Sequence, residues 1–167
     1  DDEITDLLKE AYGLFFSENG LNPMAFPSLR QFENEVVAMT AGLLGGDEET
    51  AGSMTGGGTE SILMAVKTAR DWARAERPAA ATPEMVLPVT AHPAFHKAGH
   101  YFGVKPVVIP IGPDLRADVA AAQAAITRNT ILMVGSAPSY PHGVVDPIAD
   151  LAGIAQEKGL LCHVDGC

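Results

Sequence analysis

Residues 52–61 read Gly-Ser-Met-Thr-Gly-Gly-Gly-Thr-Glu-Ser, and a helical apolar pattern begins directly after them. Apolar residues then recur every three or four positions, at Ile62, Leu63, Ala65, Val66, Ala69, Trp72 and Ala73. Thr59 is a candidate N-cap for this helix, whose first amides would point outward with the positive end of the helix dipole. A glycine-rich helix start of this kind can hold a phosphate group. The stretch lacks the spacing of a Walker loop or of a dinucleotide fingerprint, so taken alone it fits a flexible turn equally well.

Strand-like and helical patterns alternate along the chain after this helix. The strand-like runs cover residues 85–89, 107–109, 130–135 and 160–164. The helical patterns cover residues 93–102 and 118–126, and a third begins at Asp146-Pro147, with Asp146 as its cap. This alternation predicts an α/β fold with a mainly parallel sheet flanked by helices.

The first 50 residues have a different pattern, which predicts a helical segment ahead of an α/β domain over residues 51–167. One helix is expected over residues 1–16, and a second after Ser28, where Ser28 and Gln31 resemble a capping box. The expected inner face of the second helix consists of Phe32, Val36, Met39 and Leu43. Asn22 lies in the proline-rich loop between the two helices.

Composition limits the class of protein and its partners. The chain has 167 residues, of which 47% are hydrophobic, and a formal net charge of -10. It can therefore bury a core, and a nucleic acid or an anionic membrane is an unfavourable partner. No apolar run reaches the length of a membrane span. Cys162 and Cys167 form no paired framework, so we expect reduced thiols and a cytoplasmic protein.

Several polar residues directly follow the predicted strands. They are His92, the Ser136-Ala137 segment and Asp165. Ligands of open parallel sheets bind outside the carboxyl ends of the strands, so these residues should converge with the start of the helix at Thr59. A phosphate loop, an imidazole and a carboxylate are the parts that a pyridoxal phosphate site needs. Asp165 could pair with the pyridine nitrogen, and His163 should share a sheet face with Asp165.

Each of these residues also has a simpler interpretation. Asp165 could be a solvated turn residue, His92 a capping histidine and His163 a packed polar residue. A sharper alternative is a metal site, because His92, His96 and His100 recur every four residues. Pro93 and the lack of an acidic ligand on that face weaken it, so we predict no metal.

Four motifs together resemble one enzyme family. They are Gly-Gly-Thr-Glu-Ser-Ile-Leu-Met-Ala at 57–65, His-Pro-Ala-Phe at 92–95 with Lys97-Ala98, Pro-His-Gly-Val-Val-Asp-Pro at 141–147, and His-Val-Asp at 163–165. In this order they resemble the sphingosine-1-phosphate lyases, which are grouped with the group II amino-acid decarboxylases among fold type I pyridoxal phosphate enzymes. The resemblance implies part of the large cofactor-binding domain, pyridoxal 5'-phosphate as cofactor and a homodimer with a shared active site.

The resemblance also implies roles for individual residues. Gly57, Gly58 and Thr59 would hold the cofactor phosphate, His92 would stack on the ring and Asp165 would pair with its nitrogen. Ser136, Ala137 and His163 would lie near the ring. His142 and Asn22 would face the substrate, an amine or an amino acid.

Two departures from the family pattern affect what is expected of the chain. Family members carry the cofactor on a lysine in an Asp-x-His-Lys segment downstream of His-Val-Asp, and Lys67, Lys97, Lys105 and Lys158 match no such lysine. We therefore expect the chain to be inactive by itself. Asn22 stands where these lyases have a histidine, so both a carbon-carbon lyase of sphingolipid metabolism and a decarboxylase remain open. A non-catalytic half-domain is a further alternative.

Overall fold

The computed structural model describes residues 2–167, which contain six helices and four strands. The helices are α1 (Asp2–Phe15), α2 (Ser28–Leu43), α3 (Gly58–Glu76), α4 (Ala94–Phe102), α5 (Val119–Ala124) and α6 (Ile148–Glu157). The strands are β1 (Glu84–Pro88), β2 (Lys105–Ile109), β3 (Thr130–Ser136) and β4 (Leu161–Asp165). The chain divides into two compact units, one up to Met54 and one from Thr55 to Cys167. No helix of residues 2–167 is both long enough and apolar enough to cross a lipid bilayer.

The first unit contains α1 and α2, which meet where Phe15 and Phe32 pack edge to face at 6.1 Å between ring centroids. Neither helix has a buried residue, and the expected inner face is open, with Phe32 44% and Leu43 88% exposed. Two short helices alone have too few residues to enclose an apolar face. The predicted capping box is wrong, since Pro27 is the N-cap without a side-chain bond and the Gln31 amide donates to Glu35.

The second unit is built on a parallel sheet, as the alternating pattern predicted. The strand order is β2-β1-β3-β4, and every neighbouring pair is parallel. The chain passes from β1 outward to β2 and then returns to the other side of β1 to form β3. The direction of winding therefore reverses between β1 and β3, which is where open α/β sheets place their ligands.

Alternating side chains of the strands fill two separate cores. Met85 and Leu87 of β1 pack with α3 and α4 on one face of the sheet. Val86 of β1 and Met133 of β3 pack with α5 and α6 on the other face. Both faces of a parallel sheet are covered in this way, which explains why β1 and β3 are buried along their whole length.

At the amino ends of the strands, a buried carboxylate has a complete set of partners. Glu84 accepts hydrogen bonds from the Thr127 hydroxyl at 2.6 Å and from the Lys105 ammonium at 3.0 Å. The hydrogen bond from Thr127 and the pairing with Lys105 lower the pKa of Glu84, against the opposing effect of burial. This end of the sheet therefore carries a structural ion pair.

Candidate functional site

A cavity of about 420 Å³ opens at the carboxyl ends of β1, β3 and β4, at the reversal of the strand order. The loop after β1 contributes Thr90 and His92, the last residue of β3 is Ser136, and the loop after β3 contributes Tyr140. Asp165 completes the wall at the end of β4. His92, Ser136 and Asp165, which come from three different parts of the sequence, therefore border one space.

The register of the sheet fixes the position of Asp165. Ser136 of β3 pairs with Asp165 of β4, and the Ala137 amide donates to the Asp165 carbonyl at 2.8 Å. The Asp165 carboxylate accepts from the backbone amide of Cys167 at 3.2 Å. Among the ion pairs of residues 2–167, none involves Asp165. A carboxylate at a cavity wall without a basic partner is available to a cationic group of a ligand.

His92 is held at the rim by the backbone of the next helix. Its Nδ1 accepts a hydrogen bond from the Ala94 amide at 3.1 Å, so Nδ1 carries no proton and a proton on the neutral ring sits on Nε2. The N-cap of α4 is Pro93, so His92 is not the N-cap, but its side chain bonds the first amide of the helix and is thereby held beside the cavity. No three His, Cys, Asp or Glu side chains of residues 2–167 are grouped as metal ligands, so the structure does not support a site built from His92, His96 and His100.

His163 lies two residue pairs below Asp165 along β4 and packs against helix α4. Its ring meets Phe95 edge to face at 5.7 Å between centroids. Burial lowers the pKa of His163, and the negative charge of Asp165 partly opposes this shift. The pKa effect agrees with the expected common face of His163 and Asp165. His163 does not border the cavity; it packs between β4 and Phe95 of α4.

The glycine-rich stretch forms the start of α3, but not in the way the sequence suggested. The helix begins at Gly58 and its N-cap is Gly57, so the prediction of Thr59 as N-cap is wrong. Gly57 has a φ of 156°, a conformation that only glycine adopts easily. The first helical hydrogen bond runs from the Ser61 amide to the Gly57 carbonyl at 3.0 Å. The backbone amides of residues 58–60 come before this first bond, so they have no carbonyl partner within the helix. Such amides at a helix start are suited to binding a phosphate.

Two side-chain bonds replace the expected threonine cap. Glu60 accepts from the Gly56 amide at 2.5 Å, and the hydroxyls of Thr55 and Ser61 are 2.7 Å apart. These bonds close the loop onto the first turn of α3. The loop is therefore tied to the helix start by side-chain hydrogen bonds.

The start of α3 lines its own concavity, yet one residue connects it to the central cavity. The concavity is formed by residues 56–60 and Leu63 and has a volume of about 430 Å³. Cys167 borders the central cavity, and its sulfur lies so close to Gly58 that an added Cβ there would be 2.8 Å away. The structure thus brings Gly57, Gly58 and Thr59 next to the cavity of His92 and Asp165 without placing them in its wall.

Asp146 is a residue of the site region whose role the sequence did not reveal. Asp146 was expected to cap α6, but Pro147 is the N-cap, so this prediction is wrong. Asp146 is only 2% exposed, and its carboxylate accepts from the Ala117 amide at 2.9 Å and the Ser136 amide at 2.8 Å. Its own amide donates to the Ser136 carbonyl at 2.9 Å. Asp146 therefore holds the cavity wall at Ser136, and the pairing of a buried Asp with distant amides leaves no signal in the sequence.

The remaining expected site residues do not border the cavity. Ala137 lies between two lining residues, and its peptide bond to Pro138 is cis. His142 is exposed in the tight turn that joins Ser139 to Val144. Asn22 belongs to the first unit, where its side-chain oxygen accepts from the amides of Met24 and Ala25.

The arrangement of the second unit fits the pyridoxal phosphate that the sequence motifs imply. The unpaired carboxylate of Asp165 suits a protonated pyridine nitrogen, and the ring of His92 is fixed beside it. The outward amides at the start of α3 suit a phosphate. The α3 concavity and the central cavity are separate, and Cys167 lies between them. Two neighbouring sites of this kind suit a ligand that has a ring at one end and an anion at the other.

Comparison with known proteins decides the family. The profile of the aminotransferase class-V family matches residues 29–167. The chain belongs to the aminotransferase class-V family. Curated relatives include the sphingosine-1-phosphate lyases of Dictyostelium discoideum, 46% identical over 99% of this chain, and of Rattus norvegicus, 47% identical over 99%. The chain spans 31% and 29% of the length of these two relatives.

Solved structures agree with this assignment. The sphingosine-1-phosphate lyase of Burkholderia pseudomallei superimposes with a TM-score of 0.92 at 45% identity, over 100% of this chain and 40% of that one. The glutamate decarboxylase of Lactobacillus brevis superimposes with a TM-score of 0.79 at 23% identity, over 99% of this chain and 40% of the decarboxylase chain. It shares the fold. The predicted α/β fold and the resemblance based on the four motifs are both confirmed.

We expect Asp146→Asn to loosen the cavity wall, because an amide group can accept only one of the two hydrogen bonds. The free energy of unfolding should fall by about 2–4 kcal/mol, the size expected for a buried polar group left unpaired. Chemical denaturation measures this loss, and hydrogen exchange should accelerate at the Ser136 and Ala117 amides. Asp150→Asn, at an exposed position of α6, is the control and should change stability little. Equal effects of the two substitutions would contradict the role of Asp146.

We expect Asp165→Asn to lower the pKa of His163 further. The negative charge of Asp165 opposes the lowering by burial, so removing it leaves burial unopposed. The imidazole resonances of His163 in an NMR titration give the pKa directly, and its midpoint should already lie below 6.5 in the unsubstituted chain. Asp114→Asn, in an exposed turn, should leave the midpoint unchanged. A rise of the His163 midpoint in Asp165→Asn would show that the two side chains do not share a face.

Proposed function

We propose that the whole protein is a pyridoxal phosphate-dependent carbon-carbon lyase. Its substrate would be a phosphorylated sphingoid base, and its products a fatty aldehyde and phosphoethanolamine. Relatives that match nearly the full length of this chain at 40–47% identity bear the name sphingosine-1-phosphate lyase, which supports this choice of reaction.

The observation that carries the proposal is the position of Asp165. Its carboxylate borders the same cavity as His92 and Ser136 and has no basic partner among residues 2–167. It would accept the N–H of the pyridine ring and keep that nitrogen protonated. Bound pyridoxal phosphate with a protonated nitrogen withdraws electrons from the carbon bearing the substrate's amino group, so that a bond to this carbon can break.

The other residues of the site would orient the cofactor. The His92 ring, fixed through Nδ1, would lie against the cofactor ring. The outward amides at the start of α3 would hold the phosphate, where the helix dipole favours a negative charge. Asp146 would act through Ser136, whose amide it binds, and is a positioning residue.

An amino-acid decarboxylase is the second candidate, because the same withdrawal of electrons also allows loss of CO2. Asn22 is the observation that favours it. This residue has no charge to offer a substrate phosphate, and its side-chain oxygen already accepts two amides of its own loop. At this position, a substrate phosphate could bind only to the N–H groups of the Asn22 side-chain amide.

We extend the proposal to the assembly and the location of the protein. The family resemblance supports a homodimer with a shared active site. The two free thiols, Cys162 and Cys167, support a cytoplasmic location.

The two candidates differ in their products. We expect the whole protein, loaded with pyridoxal phosphate, to release a long-chain aldehyde and phosphoethanolamine from a phosphorylated sphingoid base. Aldehyde is measured by trapping with a hydrazine reagent, and CO2 is measured in parallel with glutamate and with aromatic amino acids. The sphingoid base without its phosphate is the matched control and should react far more slowly. Release of CO2 without any aldehyde would replace the lyase with the decarboxylase.

A further inference from the structure

Two buried hydroxyl groups of residues 2–167 have no hydrogen-bond partner, and both lie at the carboxyl edge of the sheet. They belong to Thr90, in the loop after β1, and to Ser139, in the loop after β3. Leaving a buried polar group unpaired costs free energy, so such groups are rare and each calls for an explanation. Thr90 borders the central cavity, whereas Ser139 is enclosed behind it.

Thr90 and Asp165 border the cavity from the ends of two different strands. Strand β1 ends at Pro88, and Thr90 lies in the turn after it, while Asp165 is the last residue of β4. Strand β3 lies between β1 and β4, so the two strand ends are two strand spacings apart, about 9–10 Å.

This separation suits a single aromatic ring with a polar contact at each end. A hydrogen bond of about 2.8 Å on either side of a pyridine ring covers a similar distance. In the proposed function, Asp165 binds the ring nitrogen and the start of α3 binds the phosphate. The ring hydroxyl of pyridoxal phosphate is then the polar substituent of the aromatic ring that still lacks a partner.

We propose that the Thr90 hydroxyl donates a hydrogen bond to the ring oxygen of bound pyridoxal phosphate, whose ring nitrogen Asp165 binds. This inference rests on the proposed cofactor. In the free chain the Thr90 oxygen is covered, although the residue borders the cavity. Rotation about χ1 by about 120° carries the hydroxyl to the position of the methyl group, and the methyl group to that of the hydrogen on Cβ, without moving the backbone. The hydroxyl thus reaches a ligand oxygen through a rotamer change alone.

The test compares two ligands that differ only in the ring hydroxyl. The first is 4-deoxypyridoxine 5'-phosphate, which has the hydroxyl and the phosphate but no aldehyde, so it cannot react with any lysine. The second is the same molecule without the ring hydroxyl. Isothermal titration with the whole protein, freed of its own cofactor, should show about five- to ten-fold tighter binding of the first ligand, the effect of one hydrogen bond.

Substitution of Thr90 should remove this preference. Thr90→Val keeps the shape of the side chain, so it should weaken binding of the first ligand by about five- to ten-fold and leave the second unchanged. Thr90→Ser should retain the preference. Ser139→Ala is the matched control, because it removes the other unpaired hydroxyl without touching the cavity wall, and it should not alter either affinity.

Thermal unfolding of the ligand-free chain provides a second readout. Thr90→Val and Ser139→Ala should both keep or raise the unfolding temperature, because each removes a buried hydroxyl without a partner. A lower unfolding temperature for Thr90→Val would show that the hydroxyl has a partner in the free chain and would overturn the inference.

The remaining outcomes separate the inference from the proposed function. Equal binding of the two ligands by the unsubstituted whole protein, or equal weakening of both by Thr90→Val, would overturn the role of Thr90 and leave the cofactor site intact. Failure of the unsubstituted whole protein to bind either ligand would overturn the proposed cofactor and this inference together. Because the two ligands are compared on the unsubstituted protein, this part of the test does not depend on whether a variant folds.

Discussion

The parallel pairing of β3 with β4 is the constraint on which the site depends. It places Ser136 level with Asp165, and the Ala137 amide extends the ladder by one bond to the Asp165 carbonyl. A shift of the register by one residue would turn Asp165 toward α6 and bring Val164 to the cavity. The buried carboxylate of Asp146 secures the β3 side of this pairing through the Ser136 amide. The position of the carboxylate at the cavity wall thus depends on a second, buried carboxylate that binds backbone amides.

The two ends of the sheet use acidic residues in opposite ways. At the amino end, the Glu84 carboxylate pairs with Lys105 and accepts a hydrogen bond from Thr127, so its charge is balanced by residues of the fold itself. At the carboxyl end, Asp165 accepts one backbone amide and pairs with no basic residue of residues 2–167. A carboxylate without a basic partner at a cavity wall calls for a cationic group of a ligand. A protonated cofactor ring meets this requirement.

The sequence predicted the parts of the fold that follow from local pattern. Hydrophobic alternation located all four strands, and the rule that ligands bind at strand ends brought His92, Ser136 and Asp165 together. The capping predictions at Ser28, Thr59 and Asp146 were wrong, because a polar side chain near a helix start can bond elsewhere once the chain is folded. Asp146 binds the Ala117 and Ser136 amides, which lie 29 and 10 residues away in sequence. Such long-range bonds, like the unpaired hydroxyl of Thr90, depend on packing that no local pattern encodes.

The central claim is that Asp165 holds the charge of the cofactor ring and thereby drives the reaction. The most direct measurement compares cofactor occupancy with turnover in the whole protein carrying Asp165→Asn, using the absorbance of bound pyridoxal phosphate and the rate of aldehyde release. Asparagine preserves the shape of the side chain but not its charge. We predict that turnover falls by about 100-fold or more, as for other preorganised electrostatic contacts, while most of the cofactor stays bound. Unchanged turnover in a fully occupied variant would contradict the claim.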